Sequence, residues 1–141
     1  MILPDVNVLI YAFRSDSPYH AVVRPWFDAV MSGDATFGVS RLALSALVRI
    51  TTNSKSYPRS SDLEEAFGFC SDVTGQPHCR MIEPGDRHWD IFERLCIETE
   101  TSGPRVTDAW FAALAIEHGC EWVTLDRDYA RFPGLKWSVP G

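Results

Sequence analysis

The sequence predicts an α/β fold: a mainly parallel sheet of four to five strands with helices on both faces. Three observations lead there. Short apolar runs alternate along the chain with longer segments whose apolar residues recur at helical spacing. The junctions between them carry Gly, Pro, Ser and Asp, the residues of turns and caps. Acids stand where strands end and helices begin, at the edge where such sheets bind ligands. Strands separated by helices need right-handed crossovers, which make the strands parallel and cover both faces.

The first strand is expected over Ile2 to Val6, running into a short helix that ends near Arg14. SPYHAVVRPWFDAVMSG reads as a second helix, with Ser17 as cap, Pro18 at its first position, Gly33 past its end and Pro25 bending it. ATFGVS is the second strand. RLALSALVRITT is a third helix, apolar on nearly all sides and so expected to be buried. NSKSYPRSSD is polar, broken by Pro58 and loop-like. LEEAFGFCSDV is a fourth helix, HCRMIEP the third strand, and GDRHWDIFERLCIE a fifth helix. TETSGPR reads as a loop before a sixth helix, TDAWFAALAIEH, closed by Gly119. CEWVTL is the fourth strand, DRDYARFPG a turn or short helix, and LKWSV a last short strand. With no linker, repeat or low-complexity tract, residues 1–141 are read as one domain, long enough to bury a core.

The net charge of −6 argues against a protein that grips nucleic acid by bulk positive charge, though it leaves room for a local basic surface. Eleven arginines stand against two lysines. Arginine suits bidentate contact with phosphate or carboxylate. The four cysteines form no CxxC pair and no metal-ligand spacing, so they are read as reduced, mostly buried thiols of a cytoplasmic protein. Nothing at the start resembles a signal peptide, and AWFAALAI is too short to span a bilayer. His20, His78, His88 and His118 suggest no base pair for catalysis and are read as surface residues.

Asp5 is the informative residue, a carboxylate inside an otherwise apolar run. Asp108 at the start of the sixth helix and Asp126 after the fourth strand stand at comparable positions, so all three can converge in one cleft. Clustered carboxylates repel one another and hold raised pKa values unless a cation neutralises them; hard divalent ions choose oxygen ligands. Each acid also has an ordinary role: Asp108 as a helix cap or first-turn acid, Asp126 as the start of a turn, Asp5 as a cap or the partner of a buried arginine. Thr107 and Thr124 have hydroxyls to orient the acids or a metal-bound water, and Asn7 has an amide for the same end or for a cap.

DVNVLIYAF, TDAWFAALAIEHG and VTLDRDYARFPGL, in that order, resemble the motifs of PIN-domain ribonucleases, specifically the VapC-type toxins of bacterial type II toxin–antitoxin pairs. The resemblance runs over nearly the whole chain. It implies a three-layer α/β/α sandwich, a metal-dependent endoribonuclease using Mg²⁺ or Mn²⁺, a 5′-phosphate product, a VapB-like antitoxin as partner, and a homodimer. Asp5, Asp108 and Asp126 match the first, third and fourth acids of the family, with Asp128 as a helper. The second acid, a glutamate, would fall on Ala46, and no acid lies between Asp34 and Asp62. Either one ion suffices, or water, Ser45 or Asn7 fills the gap, or catalysis is lost.

RNA, whether transfer, ribosomal or messenger, would be gripped by arginines near the cleft: Arg14, Arg41, Arg105 and Arg127, with Arg49, Lys55 and Arg59 as further candidates. Tyr57 is either a base-stacking residue or a loop anchor. An antitoxin tail could present an arginine to the acids and fill a groove near Trp26, Phe27 and the third helix. Two other readings are a PIN domain that binds without cutting, and a phosphatase of the haloacid dehalogenase type with Asp5 as nucleophile. The phosphatase needs an acid two residues on, where Asn7 stands, and a well-placed lysine.

Overall fold

A computed structural model describes residues 1–141. The elements follow in the order β1 (Ile2–Pro4), α1 (Val6–Phe13), α2 (His20–Ser32), β2 (Phe37–Val39), α3 (Arg41–Thr51), α4 (Leu63–Thr74), β3 (Cys79–Met81), α5 (His88–Glu98), α6 (Val106–His118), β4 (Glu121–Val123) and β5 (Trp137–Ser138). Short 3-10 turns at Gly103–Arg105 and Arg127–Arg131 precede α6 and follow β4. The five strands form one sheet, every pair parallel, in the order β3-β2-β1-β4-β5. With six helices around it, this is the expected α/β/α sandwich.

The order sets the position of the site. The chain builds outward from β1 through β2 to β3, then returns through α5 and α6 to lay β4 on the other side of β1. Strand order therefore reverses between β1 and β4, whose carboxyl ends are the natural ligand edge of such a sheet.

β1 is shorter than expected because Asp5 already caps α1: its side chain accepts from the Val6 N–H. Pro4 is tolerated in this central strand for a geometric reason. Asp5 donates its N–H to Val123 of β4 at 2.8 Å, so the alternation of a strand turns the nitrogen of Pro4 toward β2, where β1 keeps only the Ile2–Phe37 pairing. In β2, a Cβ at Gly38 would meet the side chain of Ile82 at 2.6 Å, so glycine leaves the room that Ile82, just past the neighbouring strand β3, occupies.

Three expectations about the helices change. α2 begins at His20 rather than Pro18, and Ser17 is no cap: its hydroxyl donates back to the carbonyl of Arg14. α3 is not buried on all sides. Ala43, Leu44, Leu47 and Thr51 face the core while Arg41, Ser45 and Arg49, four residues apart, form an exposed stripe. The most buried helix is α6, where Ala109, Phe111, Ala112, Ala113, Leu114 and Ala115 are all buried. Its alanines let neighbouring elements approach closely, and Gly119 ends it in the left-handed conformation. TETSGPR is not wholly loop, since its last three residues form the 3-10 turn that leads directly into α6.

The core is continuous, with Phe111 of α6 stacked on Trp122 of β4 at 5.2 Å and Tyr129 packed on Trp122 at 5.4 Å. The thiols are free; Cys70 and Cys120 are buried, Cys79 and Cys96 half-buried. No helix is long and apolar enough to cross a membrane.

Candidate active site

Asp5 is buried to 6% exposure where β1 gives way to α1. One carboxylate oxygen accepts from the Val6 N–H and the other from the Thr124 hydroxyl, both at 2.6 Å. Burial pushes its pKa up to about 6. The hydrogen bonds from Thr124 and Val6 pull the other way, and the nearby charges of Asp108 and Asp126 raise it further. Asp5 thus has both an ordinary role and an unusual one: it caps a helix, and it is a buried carboxylate with no arginine beside it.

Thr124, fully buried at the end of β4, is the hinge of the site. Its hydroxyl donates to Asp5 and accepts from the Asp126 N–H at 3.0 Å. That arrangement ties the carboxyl ends of β1 and β4 together. Asp126 in turn accepts from the Asp128 N–H at 3.0 Å and so starts the 3-10 turn, the local role expected for it.

Asp108 lies in the first turn of α6, three residues past the cap position at Arg105, so it is the first-turn acid rather than the cap, and its side chain bonds elsewhere. It accepts from the Tyr129 hydroxyl at 3.3 Å and from Arg131 at 3.5 Å. Burial, and then the charges of Asp5, Asp108 and Asp126, push the Tyr129 phenol far up, which keeps it a donor. Tyr129 and Arg131 are the members of the site that sequence reasoning missed. Their signal lay in RDYAR: a 3-10 turn repeats every three residues, which brings Tyr129 under Asp126.

The three acids share one cleft of about 300 Å³. Asn7 and Thr107 line it with them, and from α3 come Ala46, Arg49 and Ile50. The position expected to carry a fourth acid therefore does face the cleft, and it presents only a methyl group. Asn7 also accepts from the Leu125 N–H at 3.4 Å, bracing the start of α1 against the end of β4.

The donor set fits a hard divalent cation: three carboxylates, a hydroxyl and an amide, all oxygen donors or able to be, with no thiol or imidazole among the lining residues. The raised pKa of Asp5 comes first from its burial, with the neighbouring carboxylates of Asp108 and Asp126 adding to it. As they stand, no three such side chains close around one point, and each acid accepts a hydrogen bond from the chain.

The remaining candidates separate by partner. Asp128 is held by Arg105 at 2.9 Å and does not line the cleft. Arg41 pairs with Glu83 at 2.7 Å. Arg14 is not a free RNA contact: its guanidinium donates to Asp16, to Ser61 at 2.8 Å and to the Arg59 carbonyl at 2.6 Å, and lies 4.5 Å over the Tyr57 ring. Tyr57 is thereby a loop anchor. Arg127, exposed beside Asp126, forms no ion pair.

All four histidines bond backbone carbonyls through a ring nitrogen: Tyr11, Val30, Trp110 and Glu83. His88, expected at the surface, is buried at 3% exposure. The apolar groove expected near Trp26, Phe27 and the third helix is also not one feature. Trp26 lines a recess with Met1, Ile2 and Phe37, Phe27 belongs to a groove between α2 and α4, and α3 faces a separate groove lined by Leu44, Val48 and Phe67.

The PIN domain family matches residues 2–135. Ribonuclease VapC25 of Mycobacterium tuberculosis is 43% identical over 140 residues, covering 99% of each chain. Among solved structures, VapBC2 of Rickettsia felis, bound to a DNA fragment from its promoter, aligns with a TM-score of 0.73 at 17% identity over the full length of both chains. VapC20 of Mycobacterium tuberculosis, a toxin that cleaves the sarcin-ricin loop, aligns with a TM-score of 0.68 at 13% identity, over 92% of this chain and 93% of that one. At such identities the structural likeness speaks for the fold alone.

Proposed function

This chain belongs to the PIN-domain family, among its VapC ribonucleases, and from that premise we propose that it is a metal-dependent endoribonuclease toxin that hydrolyses phosphodiester bonds in RNA. The observation that carries the reading is the convergence of Asp5, Asp108 and Asp126, from three distant parts of the chain, on one cleft at the reversal of the sheet.

Asp5, Asp108 and Asp126 would hold Mg²⁺, or Mn²⁺ in its place. The ion supplies Lewis acidity, activating water and offsetting charge that develops on the phosphate. The chain's own part is positional. Thr124 fixes the orientation of Asp5 and the backbone of Asp126; Tyr129 and Arg131 fix Asp108. Attack by water leaves a 5′-phosphate and a 3′-hydroxyl. The substrate class is structured RNA, with unpaired bases presented to the cleft. The partner is a VapB-like antitoxin, as in the VapBC complexes that share this fold, and the working unit is a homodimer.

Ala46 favours a second reading, a PIN domain that binds RNA or a partner without cutting it. Purified protein, freed of antitoxin, incubated with total RNA in Mg²⁺ or in EDTA separates the two. Discrete metal-dependent cuts bearing 5′-phosphates, absent with Asp108→Asn, are expected. A folded protein that binds RNA and never cuts it would establish the second reading.

A further inference from the structure

Ala46 and Arg49 lie three residues apart on α3, and both line the acidic cleft. Arg49 also lines the neighbouring groove between α3 and α4, so its side chain stands on the ridge where the two depressions meet. The ion pairs of the molecule engage Arg14, Arg24, Arg41, Arg105, His118 and Arg131, which leaves Arg49 unpaired on the wall of the cleft that the three carboxylates also line. Arg41, on the same exposed stripe of α3, is by contrast tied to Glu83.

A phosphodiester entering this cleft meets three negative side chains and needs positive charge to stay. A fourth carboxylate on α3 would let the cleft hold more of that charge as metal, and Ala46 provides none. One helical turn further on, the same face offers a guanidinium, whose planar fork matches two phosphate oxygens at once. We infer that Arg49 grips the phosphodiester in the cleft, making it a substrate-contacting residue that brings positive charge from the one wall of the site lacking an acid. This rests on the ribonuclease reading above.

Arg49 has an ordinary alternative, since it lies in the last turn of α3, where a cation favours the helix dipole. That role needs charge alone, and lysine would fill it equally well. Phosphate gripped by a fork is different: lysine meets it as a point charge.

The test measures binding of a labelled, mixed-sequence single-stranded RNA across a salt series in EDTA, and cleavage of total RNA in Mg²⁺. The proteins are the wild type, Arg49→Ala, Arg49→Lys and Arg94→Ala, the last removing an exposed α5 arginine that lines a different depression. Arg49→Ala is expected to weaken binding by about tenfold and to flatten the salt dependence by about one phosphate contact. Its cutting should fall at least as far, Arg49→Lys should recover only part of both, and Arg94→Ala should match the wild type. The inference is overturned if Arg49→Ala binds and cuts as the wild type does, if Arg49→Lys restores both fully, or if Arg94→Ala loses as much. A wild type that neither binds nor cuts RNA would instead remove the ribonuclease reading, and the inference with it.

Discussion

Thr124 donates a 2.6 Å hydrogen bond to the carboxylate of Asp5 across 119 positions of sequence, and the same hydroxyl accepts from the Asp126 N–H. One buried oxygen thus sets the spacing of two candidate metal ligands. Thr124→Val keeps the shape of the side chain and removes that oxygen. The variant should lose about 1–3 kcal/mol in urea unfolding, the usual consequence of stranding a buried partner. It should also bind divalent metal more weakly. Unchanged stability and metal affinity would mean that Asp5 and Asp126 need no bridge.

Asp5 makes the metal-free protein sensitive to pH. Its folded pKa of about 6 lies above the ordinary carboxylate value, so between those two the folded chain holds a proton that the unfolded chain releases. The stability this contributes is full below about pH 4 and is lost as pH rises through about 6, to the extent of about 3 kcal/mol. Unfolding in EDTA at about pH 4.5 and at about pH 7.5 should show wild type losing ground to Asp5→Asn at the higher value. Parallel behaviour of the two proteins would show that the Asp5 carboxyl titrates normally.

Ala46→Glu would put a fourth carboxylate into the cleft. Without metal the variant should be less stable than the wild type, because like charges are crowded together. With Mg²⁺ or Mn²⁺ the order should reverse, and the metal-induced rise in Tm should exceed that of the wild type and disappear with Asp108→Asn. An introduced carboxylate that turned aside to pair with Arg49 would instead leave the metal response unchanged.

Arg14 gives a contrasting expectation. Its guanidinium clamps the loop between α3 and α4 through Ser61, the Arg59 carbonyl and Tyr57. Arg14→Ala should cost about 2 kcal/mol and open that loop to protease or hydrogen exchange, while the salt dependence of RNA binding stays as in the wild type. A flatter salt dependence would make Arg14 a phosphate contact after all.

The alternation of strands and helices, the parallel sheet and the acids at strand ends were all legible in the sequence, because each follows from short-range periodicity or from a turn residue. The capping of α1 by Asp5 and of the 3-10 turn by Asp126 was legible for the same reason. Two local readings failed, one to a competing local hydrogen bond and one to tertiary packing. Ser17 carries the sequence mark of a helix cap, yet its hydroxyl satisfies the Arg14 carbonyl. α3 is apolar enough to read as buried, yet it packs against α1 and α4 with one face only, and the most buried helix is α6.

Propensity, spacing and capping act over a few residues, and they were enough to define the set of elements and the candidate acids Asp5, Asp108 and Asp126. Folding in three dimensions was needed to bring these acids into one cleft, to join two of them through Thr124, and to turn Ala46 and Arg49 toward the same space. It also determined which arginines are committed: Arg14 to its loop, Arg41 to Glu83, Arg105 to Asp128 and Arg131 to Asp108, with Arg49 left free. A long charged side chain bonds to whatever stands within a few ångströms of its tip, and for Arg41, Arg105 and Arg131 that carboxylate comes from a chain segment tens of residues away.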